Sequence, residues 1–329
     1  MKPSDIISAI RATADARAPL YIWGPPGVGK TACVLESALS ANLRCVTLRA
    51  NLLEPVDVLG LPTPHADGET VRWLRPDFLP IDGTGLLFID EFAQAPQATQ
   101  CALMRLVDNL PAGWHVVAAS NRTTDRAGAG QVATHVLDRF THVDFDVSRE
   151  DWQRWAASAG IRPEIRGFLD FRPGLLFAFD AADRQRTRAG CSPRSWHRAS
   201  RIVATAPESL QFPLLAGTIG ESAAAELAGF LRIFAQCPNP DAILSSPDTT
   251  AIPTEPSALF AICAALADRA KTLAPPKLES LVRYLARLPV EFGALLMTDC
   301  LAVAPACLMV PSAGRWITDH KEIFANSRR

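Results

Sequence analysis

The sequence predicts a layered α/β domain built on a mostly parallel sheet, followed by an all-helical second half. Up to Asp146, short apolar runs of β type alternate with helical patterns, as expected of parallel strands joined by crossover helices. From Ser148 onward only helical periodicities remain. With 329 residues, 48% of them hydrophobic, the chain can fill one large core or two modest ones.

The predicted strands are Leu20–Trp23, Cys45–Leu48, Leu86–Ile89, His115–Ala119 and His142–Phe145, and helices are expected over Gly29–Ser40 and Pro96–Asn109. The proline opening the second helix suits a first turn. Between the second and third strands, residues 51–83 are rich in Pro and Gly and carry their own apolar runs, Val56–Leu61 and Val71–Leu74. That is too long for a plain connection. Turn chemistry at Pro62-Thr63-Pro64 and Asp67-Gly68 makes it a small hairpin-like insertion projecting from the sheet. In the second half the helical patterns are Arg149–Ala159, Pro163–Leu169, Pro193–Thr205, Ala223–Phe234, Ala258–Thr272 and Leu278–Leu288. Pro238-Asn239-Pro240 and the polar stretch Ser245–Thr254 interrupt them. The expected organisation is therefore an α/β domain over 1–147, a first helical region over 148–236 and a C-terminal helical extension over 237–329.

A formal net charge of -1 and a pI near 6.6 give no global attraction for nucleic acid or an anionic membrane. No run of about 18 apolar residues occurs, and Met1-Lys2-Pro3-Ser4-Asp5 lacks the apolar core of a signal peptide. A cytosolic protein is expected. The eight cysteines show neither C-x-x-C pairs nor histidine clustering, so they read as reduced core residues and not as a zinc site. His65, His115, His135, His142, His197 and His320 likewise show no metal-ligand spacing.

The chemistry is concentrated in three places. Gly24-Pro25-Pro26-Gly27-Val28-Gly29-Lys30-Thr31 fits G-x-x-x-x-G-K-[ST], directly after a strand and before a helix, the context that distinguishes a P-loop from an ordinary turn. Glycines let the backbone wrap a phosphate, the helix N-terminus points its amides at the anion, and Lys30 reaches the β/γ oxygens. Ala32 completes the nucleotide-binding set, and Thr31 is a candidate Mg²⁺ ligand. Next, Gly85-Leu86-Leu87-Phe88-Ile89-Asp90-Glu91 is an apolar strand closing on two carboxylates. Alone, such a pair reads as a solvated turn; beside a P-loop it is a Walker B pair. Asp90 then serves the Mg²⁺ shell and Glu91 orients and polarises the attacking water. Last, His115-Val116-Val117-Ala118-Ala119-Ser120-Asn121 brings Asn121 beside the Walker B end, where it either positions water or begins a turn.

With Leu137-Asp138-Arg139-Phe140 and Ser192-Pro193-Arg194-Ser195-Trp196, these motifs resemble the AAA+ superfamily, and more narrowly the MoxR family, over nearly the whole chain. The resemblance implies a P-loop NTPase core of three αβα layers, a helical lid and a C-terminal helical extension. It implies ATP and Mg²⁺ as cofactors, and a ring of identical subunits, usually six. Asn121 then matches sensor 1, Arg139 the finger offered to a neighbouring subunit, and Arg194 sensor 2. Electrostatics supports both arginines, since a planar guanidinium can take the γ-phosphate oxygens bidentately; a plain surface arginine is the competing reading for each. Residues 51–80 match the helix-2 insertion of the MoxR-like clade, which faces the ring's pore, so Val71-Arg72-Trp73-Leu74 is either client-facing or locally packed. The resemblance further implies chaperone-like remodelling of a client, beside a partner with a von Willebrand A-type domain.

Arg122 and Arg126 read as surface residues more readily than as site residues, and Arg184, Arg186 and Arg188 as a solvated basic loop. Two competing functions stay open at this point. One is a nucleic-acid motor or loader, disfavoured by the near-neutral charge. The other is a nucleotide-gated scaffold with little turnover, disfavoured by the intact Glu91 and Arg139.

Overall fold

Five parallel strands order the first half of the chain: β1 (Leu20–Trp23), β2 (Arg44–Arg49), β5 (Gly85–Asp90), β6 (Trp114–Ser120) and β7 (Thr141–Asp144). They lie in the order β2-β5-β6-β1-β7. The computed structural model describes residues 1–80, 82–125, 130–178 and 189–326, with residues 324–326 described through their backbone only. It divides into two compact units, Met1–Ser148 and Arg149–Arg329.

In the first unit, helices α1 (Pro3–Asp15) and α2 (Lys30–Ser40) cover one face of the sheet. On the other, Tyr21, Leu87, Ile89, Val116 and Ala118 pack with Phe92, Leu103, Met104, Val136 and Phe140 in a single core. Leu103 and Met104 come from α4 (Gln97–Val107) and Val136 from α5 (Thr134–Leu137). This is a three-layer αβα core with the P-loop directly after its first strand. All five expected strands are present, each within a residue or so of its expected ends. Their central members, β5 and β6, apolar but for Asp90, His115 and Ser120, are buried nearly throughout, as strands covered on both faces must be.

Several local expectations need correction. Pro96 caps α4 from outside the helix and does not occupy its first turn. In the insertion, Val56 belongs to a short helix, α3 (Pro55–Leu59), opened by a capping box between Glu54 and Asp57. The hairpin pairs β3 (Leu61–Pro64) with β4 (Val71–Leu74). Pro62 and Pro64 thus lie in a strand and not in turns; a two-stranded ribbon tolerates their missing N–H groups because it is all edge. The turn is at Asp67-Gly68 as expected. There the Asp67 carboxylate accepts from Glu69 N, Thr70 N and Thr70 Oγ1 at 2.9, 3.0 and 2.7 Å. Gly60 joins α3 to β3 at φ 86°, and a Cβ there would fall 2.0 Å from the Leu74 carbonyl oxygen, so only glycine fits. Trp73 is 55% exposed, and Leu61, Val71 and Leu74 are exposed with it, so local packing does not consume them. Among the cysteines, Cys33, Cys191, Cys263, Cys300 and Cys307 are buried, but Cys45 and Cys237 are half-exposed and Cys101 is exposed. The general reading of core cysteines therefore fails for these three.

The described part of the second unit is entirely helical: α6 (Arg149–Ser158), α7 (Pro163–Phe171), α8 (Pro193–Thr205), α9 (Glu208–Ile219), α10 (Glu221–Gln236), α11 (Pro240–Ser245), α12 (Pro256–Ala270), α13 (Pro275–Leu285), α14 (Val290–Val303), α15 (Pro311–Asp319) and α16 (Lys321–Asn326). Its core joins α11 to α15, and α12 also packs along α7. No described helix is long and apolar enough to cross a membrane.

Candidate functional site

Parallel pairing aligns the C-terminal ends of β1, β5 and β6, with Trp23 opposite Ser120 and Ile89 opposite Ala118. The loops that follow these strands therefore emerge together, at the edge where open α/β sheets bind ligands. Gly24 N donates to the Ser120 carbonyl at 3.2 Å, tying the start of the P-loop to β6. At the loop's end Gly29, in the left-handed region at φ 114°, caps α2 and aims the first amides of that helix into the loop.

Lys30 is nearly buried, 9% exposed. Its ammonium donates to the Gly24 and Pro25 carbonyls at 2.5 and 2.9 Å and to Asn121 Oδ1 at 2.9 Å. Asn121 therefore lies against the P-loop lysine. The Thr31 hydroxyl donates to Asp90 Oδ2 at 2.9 Å, so helix α2 and strand β5 converge on one point. Both are hard oxygen donors, one anionic, which suits a Mg²⁺ ion. Glu91 follows in the left-handed region (φ 56°, ψ 34°), a conformation that costs a non-glycine residue about 1 kcal/mol or more. Its carboxylate is half-exposed and accepts no hydrogen bond among the described residues, so it is open to water beside Asp90.

Lys30, Thr31, Asp90, Glu91 and Asn121 thus come together in the first unit. Arg139 does not join them. It precedes β7, whose first residue Thr141 pairs with Leu20 at the start of β1. The four residues of β1, at about 3.3 Å each, separate that end from the P-loop. Its guanidinium donates to the His135 carbonyl at 2.9 Å, pairs with Asp108 at 3.4 Å and is 42% exposed. Arg194 belongs to the helical unit, exposed in the first turn of α8, where it makes no hydrogen bond or ion pair among the described residues. Ser192 and Ser195 start that helix with a reciprocal capping box. Arg122 is occupied by Asp144 at 2.9 Å and by Asp125 through its backbone N–H. Arg126, Arg184, Arg186 and Arg188 lie outside the described residues.

No family model and no curated protein matches the chain. Among solved structures it is similar to NtrX from Brucella abortus in complex with ADP, at 14% identity and a TM-score of 0.39 over 98% of this chain and 68% of that one. It is also similar to the RuvB Holliday junction branch migration motor of Thermotoga maritima, at 16% identity and a TM-score of 0.39 over 83% of this chain and 88% of that one. Both superpositions are loose, and the fold assignment rests on strand order and the loops at the strand ends.

Sequence reasoning passed over Ser120 and Tyr21. The signal was a polar residue ending the run His115–Ala119, since a hydroxyl at 1% exposure needs partners and those partners lie in the site.

Proposed function

We propose that the chain is a Mg²⁺-dependent ATPase whose site is completed by a second copy in a ring of six. The observation that carries this reading is the convergence of Lys30, Thr31, Asp90 and Asn121 at the strand ends, with the Glu91 carboxylate left open beside them.

ATP binds with its phosphates against the amides of residues 27–31 and the α2 N-terminus, and Lys30 exchanges the Gly24 and Pro25 carbonyls for β/γ oxygens. Thr31 and Asp90 would hold Mg²⁺, which when bound neutralises charge on the phosphates. Glu91 orients the attacking water and takes its proton, with Asn121 positioning that water. Arg139 faces away from its own P-loop and serves the neighbour, where a guanidinium stabilises charge on the transferred group. Within the helical unit, residues 148–236 act as a lid carrying Arg194 toward the nucleotide, and 237–329 as an extension. The resemblance to MoxR-like proteins supports the finer role: chaperone-like remodelling of a client, reached through the exposed hairpin, beside a von Willebrand A-type partner.

Steady-state hydrolysis measured over a range of protein concentrations tests the reading. Specific activity should rise with concentration and vanish with a Mg²⁺ chelator. Absence of turnover at every concentration contradicts it. A Glu91→Gln protein held in ATP should retain the client on purification.

A further inference from the structure

Tyr21, on β1, holds the two residues that follow Glu91 by two separate means. Its ring meets Phe92 edge-on, with centroids 5.8 Å apart and planes at 75°. Its hydroxyl lies 2.8 Å from Ser120 Oγ, and Ser120 Oγ accepts from Ala93 N at 2.8 Å. The donor in the first contact follows from counting. Ser120 has one hydroxyl proton, directed to the Ala119 carbonyl at 2.9 Å, so its two lone pairs serve Ala93 N–H and the Tyr21 O–H. Burial pushes the Tyr21 phenol far above its ordinary range, opposed by the Ser120 bond, so it remains a donor at any working pH. Tyr21, Phe92 and Ala93 are fully buried, and no water can replace these partners.

Ser120 also meets the rest of the site. Its carbonyl accepts from Gly24 N, and its neighbour Asn121 accepts from Lys30. One residue therefore touches the P-loop, the turn carrying Glu91 and, through the next residue, the lysine. The left-handed Glu91 turn is a conformation that surrounding structure has to enforce. Without Ser120 Oγ, Ala93 N–H would be buried and unpaired, and the turn would relax to recover a partner.

We propose that Ser120, oriented by the Tyr21 hydroxyl, is a positioning residue for Glu91, enforcing the turn that aims its carboxylate at water. This rests on the ATPase reading above. It predicts a loss of rate with little loss of nucleotide binding, because the phosphate-binding amides and Lys30 stay in place.

The test is steady-state ATPase kinetics and nucleotide affinity for wild type, Ser120→Ala, Ser120→Thr, Tyr21→Phe and the Tyr21→Phe/Ser120→Ala double variant, with a thermal melt of each. Ser120→Ala should lower kcat by about 10- to 100-fold, the scale of a slightly misplaced reacting group, with KM for ATP and nucleotide affinity within about twofold of wild type. Ser120→Thr, which keeps an acceptor, should recover most of that rate. Tyr21→Phe keeps the ring packing and should lower kcat by a smaller factor. The double variant should be no slower than Ser120→Ala, because both act through one bond to Ala93. Wild type that hydrolyses ATP while Ser120→Ala matches its kcat overturns this proposal alone. So does a fall in kcat matched by falls in affinity and melting temperature. Wild type without turnover overturns the ATPase reading and this proposal with it.

Discussion

Arg139 pairs with Asp108 at 3.4 Å, and Asp108 closes the end of α4 remote from Asp90, since α4 begins just after the loop that follows β5. The guanidinium is thereby held at the N-terminal edge of the sheet, while Lys30 and Glu91 occupy the C-terminal edge.

Arg139→Ala should accordingly bind ATP like wild type and lose hydrolysis by on the order of 10³-fold. Mixing Arg139→Ala with Lys30→Ala subunits creates interfaces where an intact P-loop of the first meets an intact arginine of the second. Activity should return once native mass spectrometry shows mixed assemblies. Mixed assemblies without recovered hydrolysis contradict an interfacial site.

Gly60 offers a test of the insertion that leaves the nucleotide site untouched. A Cβ at its φ of 86° would run into the Leu74 carbonyl, so Gly60→Ala should displace the hairpin. Basal ATPase should stay within about twofold of wild type, while proteolysis within residues 61–74 accelerates, because an element of low local stability opens more often. Unchanged proteolysis would show that the hairpin does not depend on Gly60.

Much of the fold was legible because its signals are local. The β5 run Leu86–Ile89 and the P-loop are contiguous, and each predicts both an element and its chemistry. Features that depend on partners distant in sequence were not legible. Helix α14 is apolar nearly all round because it is buried on several sides, so it shows no amphipathic period. Helix α9 contains Pro213, which argues against a helix until packing overrides it. At the site, Lys30, Asp90, Glu91 and Asn121 could be named from motifs. The bond from Ser120 to Ala93 spans 27 residues and appears only when β5 and β6 are placed side by side.

His115 supplies a pH dependence. Its Nε2 lies 3.2 Å from Thr13 Oγ1, joining α1 to β6, and burial lowers its pKa to about 4. Between there and the ordinary value of about 6.5, the unfolded chain binds the proton that the folded one refuses. Stability is therefore full above about pH 6.5 and falls as pH drops toward 4, by up to about 3 kcal/mol. Denaturant unfolding of the α/β unit at pH 7.5 and 5 should show this loss, and His115→Asn should reduce its slope. A wild-type slope of opposite sign would mean that His115 is stabilised as the cation.

The most direct test of the central claim, that these strand-end loops form a hydrolytic nucleotide site, separates binding from chemistry. Nucleotide affinity and steady-state turnover should be measured together for wild type, Lys30→Ala and Glu91→Gln. Lys30→Ala should lose affinity. Glu91→Gln should bind ATP as wild type does and turn over at least about 10²-fold more slowly. Turnover by Glu91→Gln within about threefold of wild type, or undiminished binding by Lys30→Ala, would contradict the assignment.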